Sequence, residues 1–180
     1  MSRARIIGGQ WRSRLIEFAS APGLRPTPDR VRETLFNWLG QSLDGLDCLD
    51  LFAGSGMLGF EAASRGAAGI VMVERDARVY AMLCRSAKTL AAPVEIVRGD
   101  ALEFLASASR RFDVAFIDPP YRQGWIERVL PLLVRALRPA ARIYVEAEAP
   151  LAARDGWRML RQGRAGQVHY HLLERTEETY

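Results

Sequence analysis

The sequence predicts an α/β fold: a parallel sheet covered by helices on both faces. Two observations carry this prediction. From Leu46 onward short apolar runs alternate with stretches of helical period, the sign of repeated strand–helix units. The first of these runs, ending in Asp50-Leu51-Phe52, passes through Ala53-Gly54-Ser55-Gly56 into a helix rich in small residues. Glycines in that turn let the backbone bend sharply and approach a ligand, because no Cβ stands in the way.

The elements follow in order. Arg5 to Ile16 predicts two short strands around a glycine turn, a hairpin. Pro22, Gly23, Pro26 and Pro28 mark a loop, and Thr27 is placed to cap a helix whose first position is Pro28. Val31, Leu35, Trp38 and Leu39 recur at helical spacing, which predicts one buried face between about Pro28 and Gly40. Cys48 to Phe52 is apolar enough for a strand buried on both faces, and a helix runs on from Met57 to Gly66. The alternation continues with a strand at Ile70–Glu74, a helix at Ala77–Leu90, a strand at Val94–Arg98 and a short helix at Ala101–Ala108. Phe112–Asp118 is a fourth core strand, and Ile126, Val129, Leu130, Leu133, Val134 and Leu137 predict one long helix. Arg142–Glu146 is the fifth core strand. Trp157–Leu160 and Gln167–Glu174 have no helix between them and predict an antiparallel pair at the sheet edge. The chain divides into a basic hairpin-and-helix extension, residues 1–45, and a core domain, residues 46–180.

Composition narrows the function classes. At 180 residues, 49% of them apolar and 26% charged, the chain suits one globular core. No apolar run approaches the roughly 18 residues of a membrane span. Met1 to Gly9 lacks the apolar centre of a signal peptide, so a cytoplasmic location is expected. Cys48 and Cys84 sit in apolar settings and are expected as buried free thiols. His169 and His171 share one strand face without further ligands nearby in sequence, so no metal is expected. The net charge of +4 is uneven: residues 1–32 hold Arg3, Arg5, Arg12, Arg14, Arg25, Arg30 and Arg32 against Glu17 and Asp29. Such clustering predicts a phosphate-facing segment, with Arg5, Arg12, Arg14, Arg25, Arg30 and Arg32 as candidate RNA contacts. Plain solvation of these residues is the alternative.

Four acidic residues fall at or near the ends of apolar strands: Asp50, Glu74, Asp100 and Asp118. In open α/β sheets ligands lie beyond the carboxyl ends of the strands, so the four point to one pocket. Glu74, about 20 residues past the glycine turn, is placed for the hydroxyls of an adenosine ribose. Asp100 is placed for an adenine amino group or for the cap of the helix after it. Asp118-Pro119-Pro120-Tyr121 presents a carboxylate and carbonyls together, because two prolines remove backbone donors. Those acceptors suit an amino group on a planar ring, on which Tyr121 can stack for roughly 1–3 kcal/mol.

The glycine turn, Glu74, Gly99-Asp100 and Asp118-Pro119-Pro120-Tyr121, in that order, resemble the Rossmann-like methyltransferases that use S-adenosylmethionine. Arg5-Ile6-Ile7-Gly8-Gly9, Arg25-Pro26-Thr27 and the run from Asp29 to Asn37 narrow the resemblance to the RsmD family. That family methylates the exocyclic N2 of a guanine in small-subunit (16S) ribosomal RNA. The resemblance covers nearly the whole chain and is weakest after Pro150. It implies a doubly wound, seven-stranded sheet with one antiparallel strand. It also implies S-adenosylmethionine as cofactor, held by Asp50, the loop Ala53, Gly54, Ser55 and Gly56, then Glu74 with Arg75, Asp100 with Ala101, and Asp118. Asp118, Pro119 and Tyr121 are the implied catalytic residues, and ribosomal RNA or an assembling small subunit is the implied partner of a monomeric enzyme. Met57 departs from the simplest pattern as a bulky residue after Gly56, and is expected to turn inward. An N6-adenine DNA methyltransferase shares the acceptor motif. A small-molecule methyltransferase fits the basic N-terminus poorly, and a non-catalytic RNA-binding assembly factor fits the intact Gly54, Gly56, Glu74 and Asp118 poorly.

Overall fold

The structure is a computed structural model that describes residues 1–20, 22 and 24–176. Strands β1 (Ser2–Arg5) and β2 (Leu15–Phe18) form an antiparallel ribbon, with a single 3-10 turn at Gly9–Trp11 between them. The hairpin is therefore present, but its first strand ends at Arg5 instead of beginning there. The backbone N–H groups of Ile7 and Gly8 are taken by the Glu61 carboxylate at 3.0 and 2.8 Å, which withdraws them from strand pairing.

Helix α1 (Asp29–Leu39) starts one residue later than expected, with Pro28 in extended conformation as its cap residue and no side-chain cap bond. Thr27 does not cap the helix, because its hydroxyl donates to Glu146 Oε1 at 2.8 Å. Val31, Leu35, Phe36 and Leu39 are buried as the helical period requires.

The main sheet contains β3 (Asp47–Asp50), β4 (Gly69–Glu74), β5 (Val94–Arg98), β6 (Phe112–Ile117), β7 (Leu137–Ala147), β8 (Trp157–Ala165) and β9 (Val168–Arg175). Their spatial order is β5-β4-β3-β6-β7-β9-β8. All neighbours from β5 to β7 pair in parallel, and β9 runs antiparallel to both β7 and β8. The sheet thus has seven strands with one reversed, and β9 lies inside it while β8 forms the edge.

Helices α2 (Met57–Ser64), α3 (Ala77–Leu90), α4 (Ala101–Ser107) and α5 (Trp125–Leu133) cover the sheet. Alternate strand residues sort into two cores, as a period of two demands. Cys48, Ile70, Met72, Val114, Phe116 and Tyr144 pack with α1, α2 and α3. Leu49, Val71, Ala115, Ile117, Ile143 and Val145 pack with α4 and α5. Ile6, Trp11 and Ile16 belong to the first core, so the N-terminal extension rests on α2 and shares its apolar interior. That double cover explains why every residue of α2 is buried.

The long helix expected to reach Leu137 stops at Leu133, and a 3-10 turn at Val134–Ala136 follows. Pro131 inside α5 removes a helical donor, and Leu137 pairs with Phe112 as the first residue of β7. Apolar spacing alone cannot tell a last helical turn from a strand entering the same core.

Candidate active site

Winding reverses between β3 and β6: from β3 the chain proceeds outward to β4 and β5, then returns to lay β6 on the other side. Ligands in such sheets bind beyond the strand ends at that reversal. The glycine turn leaves β3 here, and Asp118-Pro119-Pro120-Tyr121 leaves β6 beside it, with Leu51 N donating to Phe116 O at 3.1 Å between them.

Gly54 and Gly56 hold φ of 52° and 81°, left-handed conformations that favour glycine. Gly56 is the cap residue of α2, and a Cβ there would lie 2.5 Å from Leu83 and Phe60 side-chain atoms. Over Gly54 the position of a Cβ is only 2.9 Å from Leu24 Cδ1, so the N-terminal loop lies against the turn. Ala53 and Ser55 are buried, and Met57 is turned inward at 2% exposure.

Glu74 reaches back across the turn. One carboxylate oxygen accepts from Gly54 N at 3.0 Å and the other from Asp76 N at 2.8 Å, which fixes the turn to the end of β4. Asp50 lies beneath rather than beside the turn: it is buried and accepts from Gly59 N at 3.0 Å. Burial pushes its carboxyl up to about 7, with the Gly59 bond acting against that and the Glu74 charge adding to it. Asp100 caps α4, its Oδ1 accepting from Leu102 N at 2.8 Å and Glu103 N at 3.3 Å. Both bonds use one oxygen. Ala101 is buried at the start of α4, and Arg75 is exposed beside Glu74.

At the other side of the reversal Asp118 is half-buried, Pro119 is buried and Tyr121 is 41% exposed. The Tyr121 phenol is raised to about 12 by burial and by the charges of Glu146, Asp118 and Glu148. Asp118 is raised well above the usual carboxylate range, first by burial and then by the neighbouring Glu146 carboxyl and the Asp50 charge. Glu146, near the end of β7, is therefore a fifth acid in the series. Its position after Ile143-Tyr144-Val145 repeats the pattern of an acid closing an apolar strand, a signal already present in the sequence.

Among the described residues none of Asp50, Glu74, Asp100, Asp118 and Glu146 forms an ion pair, in a chain with 25 lysines and arginines. Asp47 and Asp113, on β3 and β6, are by contrast neutralised by Arg138 and Arg110. The strand ends at the reversal thus carry carboxyls that no arginine or lysine pairs among the described residues, and suit a ligand that carries positive charge. Glycine turn, the acid that closes β4 and the helix start fit S-adenosylmethionine, whose sulfonium and ammonium groups are cationic.

The candidate arginines divide. Arg12, Arg25 and Arg30 are exposed; Arg5 is exposed with Asp29 at 3.9 Å, and Arg14 donates to Thr89 O at 3.2 Å. Arg32 is no surface contact. It is fully buried, bonded to Asp29 at 2.6 Å and to Glu61 at 3.1 Å. Glu61 also binds Arg65 at 3.0 Å, so this cluster ties α1 and the extension to α2. Thr27 lines a cavity of about 330 Å³ together with Arg3, Arg5, Pro26 and Asp29. Cys48 and Cys84 are free thiols, the first buried and raised to about 12 by burial, the second half-buried. His171 is buried, its Nε2 accepting from Leu151 N at 3.1 Å and its Nδ1 lying 3.2 Å from Val145 O. Among the described residues no helix is long and apolar enough to cross a membrane.

The family described as Conserved hypothetical protein 95 matches residues 4–174. The Ribosomal RNA small subunit methyltransferase D of Escherichia coli (strain K12) is 46% identical over 178 residues, covering 95% of this chain and 89% of the relative. A solved structure of the Escherichia coli protein yhhF superposes with a TM-score of 0.89 at 44% identity, covering 98% of this chain and 100% of that one. An RNA methyltransferase from Salinibacter ruber, solved in complex with S-adenosyl-L-homocysteine, shares the fold at TM-score 0.68 and 20% identity, over 87% of this chain and 97% of that one.

Proposed function

The chain belongs to the Conserved hypothetical protein 95 family, and from that premise we propose that it moves a methyl group from S-adenosylmethionine to the exocyclic N2 of a guanine in small-subunit ribosomal RNA. The observation that carries this is the row of carboxyls without ion pairs at the strand ends, with Asp118-Pro119-Pro120-Tyr121 next to the glycine turn. The names of the relatives support the RNA substrate.

When bound, S-adenosylmethionine supplies a methyl group already activated by its sulfonium. The protein's task is therefore chiefly alignment. The turn from Ala53 to Gly56 holds the methionine end, Glu74 with Arg75 the ribose, and Asp100 with Ala101 the adenine. Asp50 acts through the turn it supports. Asp118 and the Pro119 carbonyl accept from the amino group, which draws its lone pair out of the ring and stabilises the positive charge that builds on nitrogen. Tyr121, exposed at the rim, covers a base that has left its stack. Residues 1–45 present Arg5, Arg12, Arg14, Arg25 and Arg30 to phosphates, and residues 46–180 carry the transfer. The enzyme acts as a monomer in the cytoplasm, on ribosomal RNA or an assembling subunit.

The test is incubation of purified protein and methyl-labelled cofactor with unmodified small-subunit RNA, free and assembled, followed by mapping of the labelled base. Label on N2 of one guanine is the expected result. Label on adenine of duplex DNA, or no label with any nucleic acid, overturns the proposal.

A further inference from the structure

The parallel register of β6 and β7, Ile117 opposite Val145, brings Asp118 and Glu146 side by side at the strand ends. Glu146 is buried at 4% exposure, and its Oε1 accepts two neutral hydroxyls, Thr27 Oγ1 and Tyr144 OH, each at 2.8 Å. Those donors favour the charge on Glu146 over Asp118. The other ionisable groups facing the pair are Asp50 from β3, which acts on Asp118, and Tyr121 and Tyr144, whose phenols the pair pushes up. None is a cation. Two adjacent carboxyls with no cation to pair them hold one proton in common, since both cannot ionise cheaply.

Resting on the methyltransfer reading above, we propose that Glu146 is a positioning residue for Asp118. It keeps the shared proton on the inner side of Asp118, leaves the other Asp118 oxygen free for the substrate amino group, and takes that shared proton over when Asp118 receives one. As nitrogen bonds to the methyl carbon, the carbon–sulfur electron pair stays on sulfur, and one N–H proton must leave. It goes to the outer oxygen of Asp118 while the inner proton passes to Glu146. The pair ends with two protons and no charge, and solvent restores the first state. Thr27 makes this arrangement depend on the N-terminal loop, since the same residue lines the arginine-bordered cavity.

The experiment uses the full chain with ¹³C-labelled aspartate and the variants Glu146→Gln and Tyr144→Phe. In the cofactor-free wild type the Asp118 carboxyl carbon should report a protonated acid at neutral pH, and in Glu146→Gln an ionised one. Methyl transfer by Glu146→Gln should fall at least tenfold in kcat, with cofactor affinity within twofold of wild type. Tyr144→Phe keeps the ring and removes one donor from Glu146. It should retain the plateau kcat while the acidic limb of its pH profile moves upward. Identical Asp118 titration in wild type and Glu146→Gln, or an unmoved limb in Tyr144→Phe, overturns the role of Glu146. A wild type that transfers no methyl group overturns the enzymatic reading itself, a distinct result.

Discussion

Asp118 and Asp50 are both carboxyls at the ends of neighbouring central strands, yet their surroundings give them different work. Asp118 stands at the end of β6 with a proline pair after it, and in the proposed mechanism Asp118→Ala removes the acceptor for the reacting nitrogen. Methyl transfer should fall by about 10²–10³-fold, while cofactor binding measured by calorimetry stays near wild type; a parallel loss of both contradicts the role given to Asp118. Asp50 is buried under the turn, with its carboxyl pushed up to about 7 against a usual 3.8. Folding therefore disfavours its ionisation, so its contribution to stability is full below about pH 4 and is lost as the pH rises through 7. Each unit of that shift is worth about 1.4 kcal/mol. Asp50→Asn should remove this component, so denaturant midpoints of variant and wild type should diverge in the variant's favour between pH 4 and 8. The acids themselves were legible because each closes an apolar run. Their division of labour was not, because it depends on Gly59 N–H and Glu146, which only folding brings near.

At the scale of elements, the strands of the parallel core and the helix Ala77–Leu90 could be read from the sequence, the strands because burial on both faces makes them short apolar runs and the helix because it buries one face. Misplaced boundaries have physical causes. Thr27 abandons its cap for Glu146, Pro131 shortens α5, and Leu137 is claimed by Phe112 in the sheet. Glu146 and Phe112 lie far from Thr27 and Leu137 in sequence, whereas Pro131 lies within α5 itself. The glycine turn is the element most sensitive to a single methyl group. Gly56→Ala places a Cβ at left-handed φ and 2.5 Å from Leu83 and Phe60, so it should cost about 1–3 kcal/mol of stability and weaken cofactor binding more than Asp118→Ala does. Thermal unfolding and calorimetry measure the two effects separately.

Across the whole molecule, one carboxylate gathers the largest set of bonds between the extension and α2. Glu61 accepts the backbone donors of Ile7 and Gly8 and the guanidiniums of Arg32 and Arg65. Arg32 had the look of one more cation in a basic stretch; the clue to its burial is that Arg32, Phe36 and Leu39 follow one another along a second buried stripe of α1. Glu61→Ala leaves Arg32 and Arg65 buried without their common partner and should lower stability by about 3–5 kcal/mol. Limited proteolysis should then cut within the first 30 or so residues before the sheet opens, and an unchanged cleavage pattern argues against the tie. The same joint sets an order of events during synthesis. Ile7, Gly8, Arg32 and strand β3 leave the ribosome before Glu61, whereas Arg65 and strand β4 leave after it. The earliest-made part of the chain therefore cannot take its final place until α2 has been made.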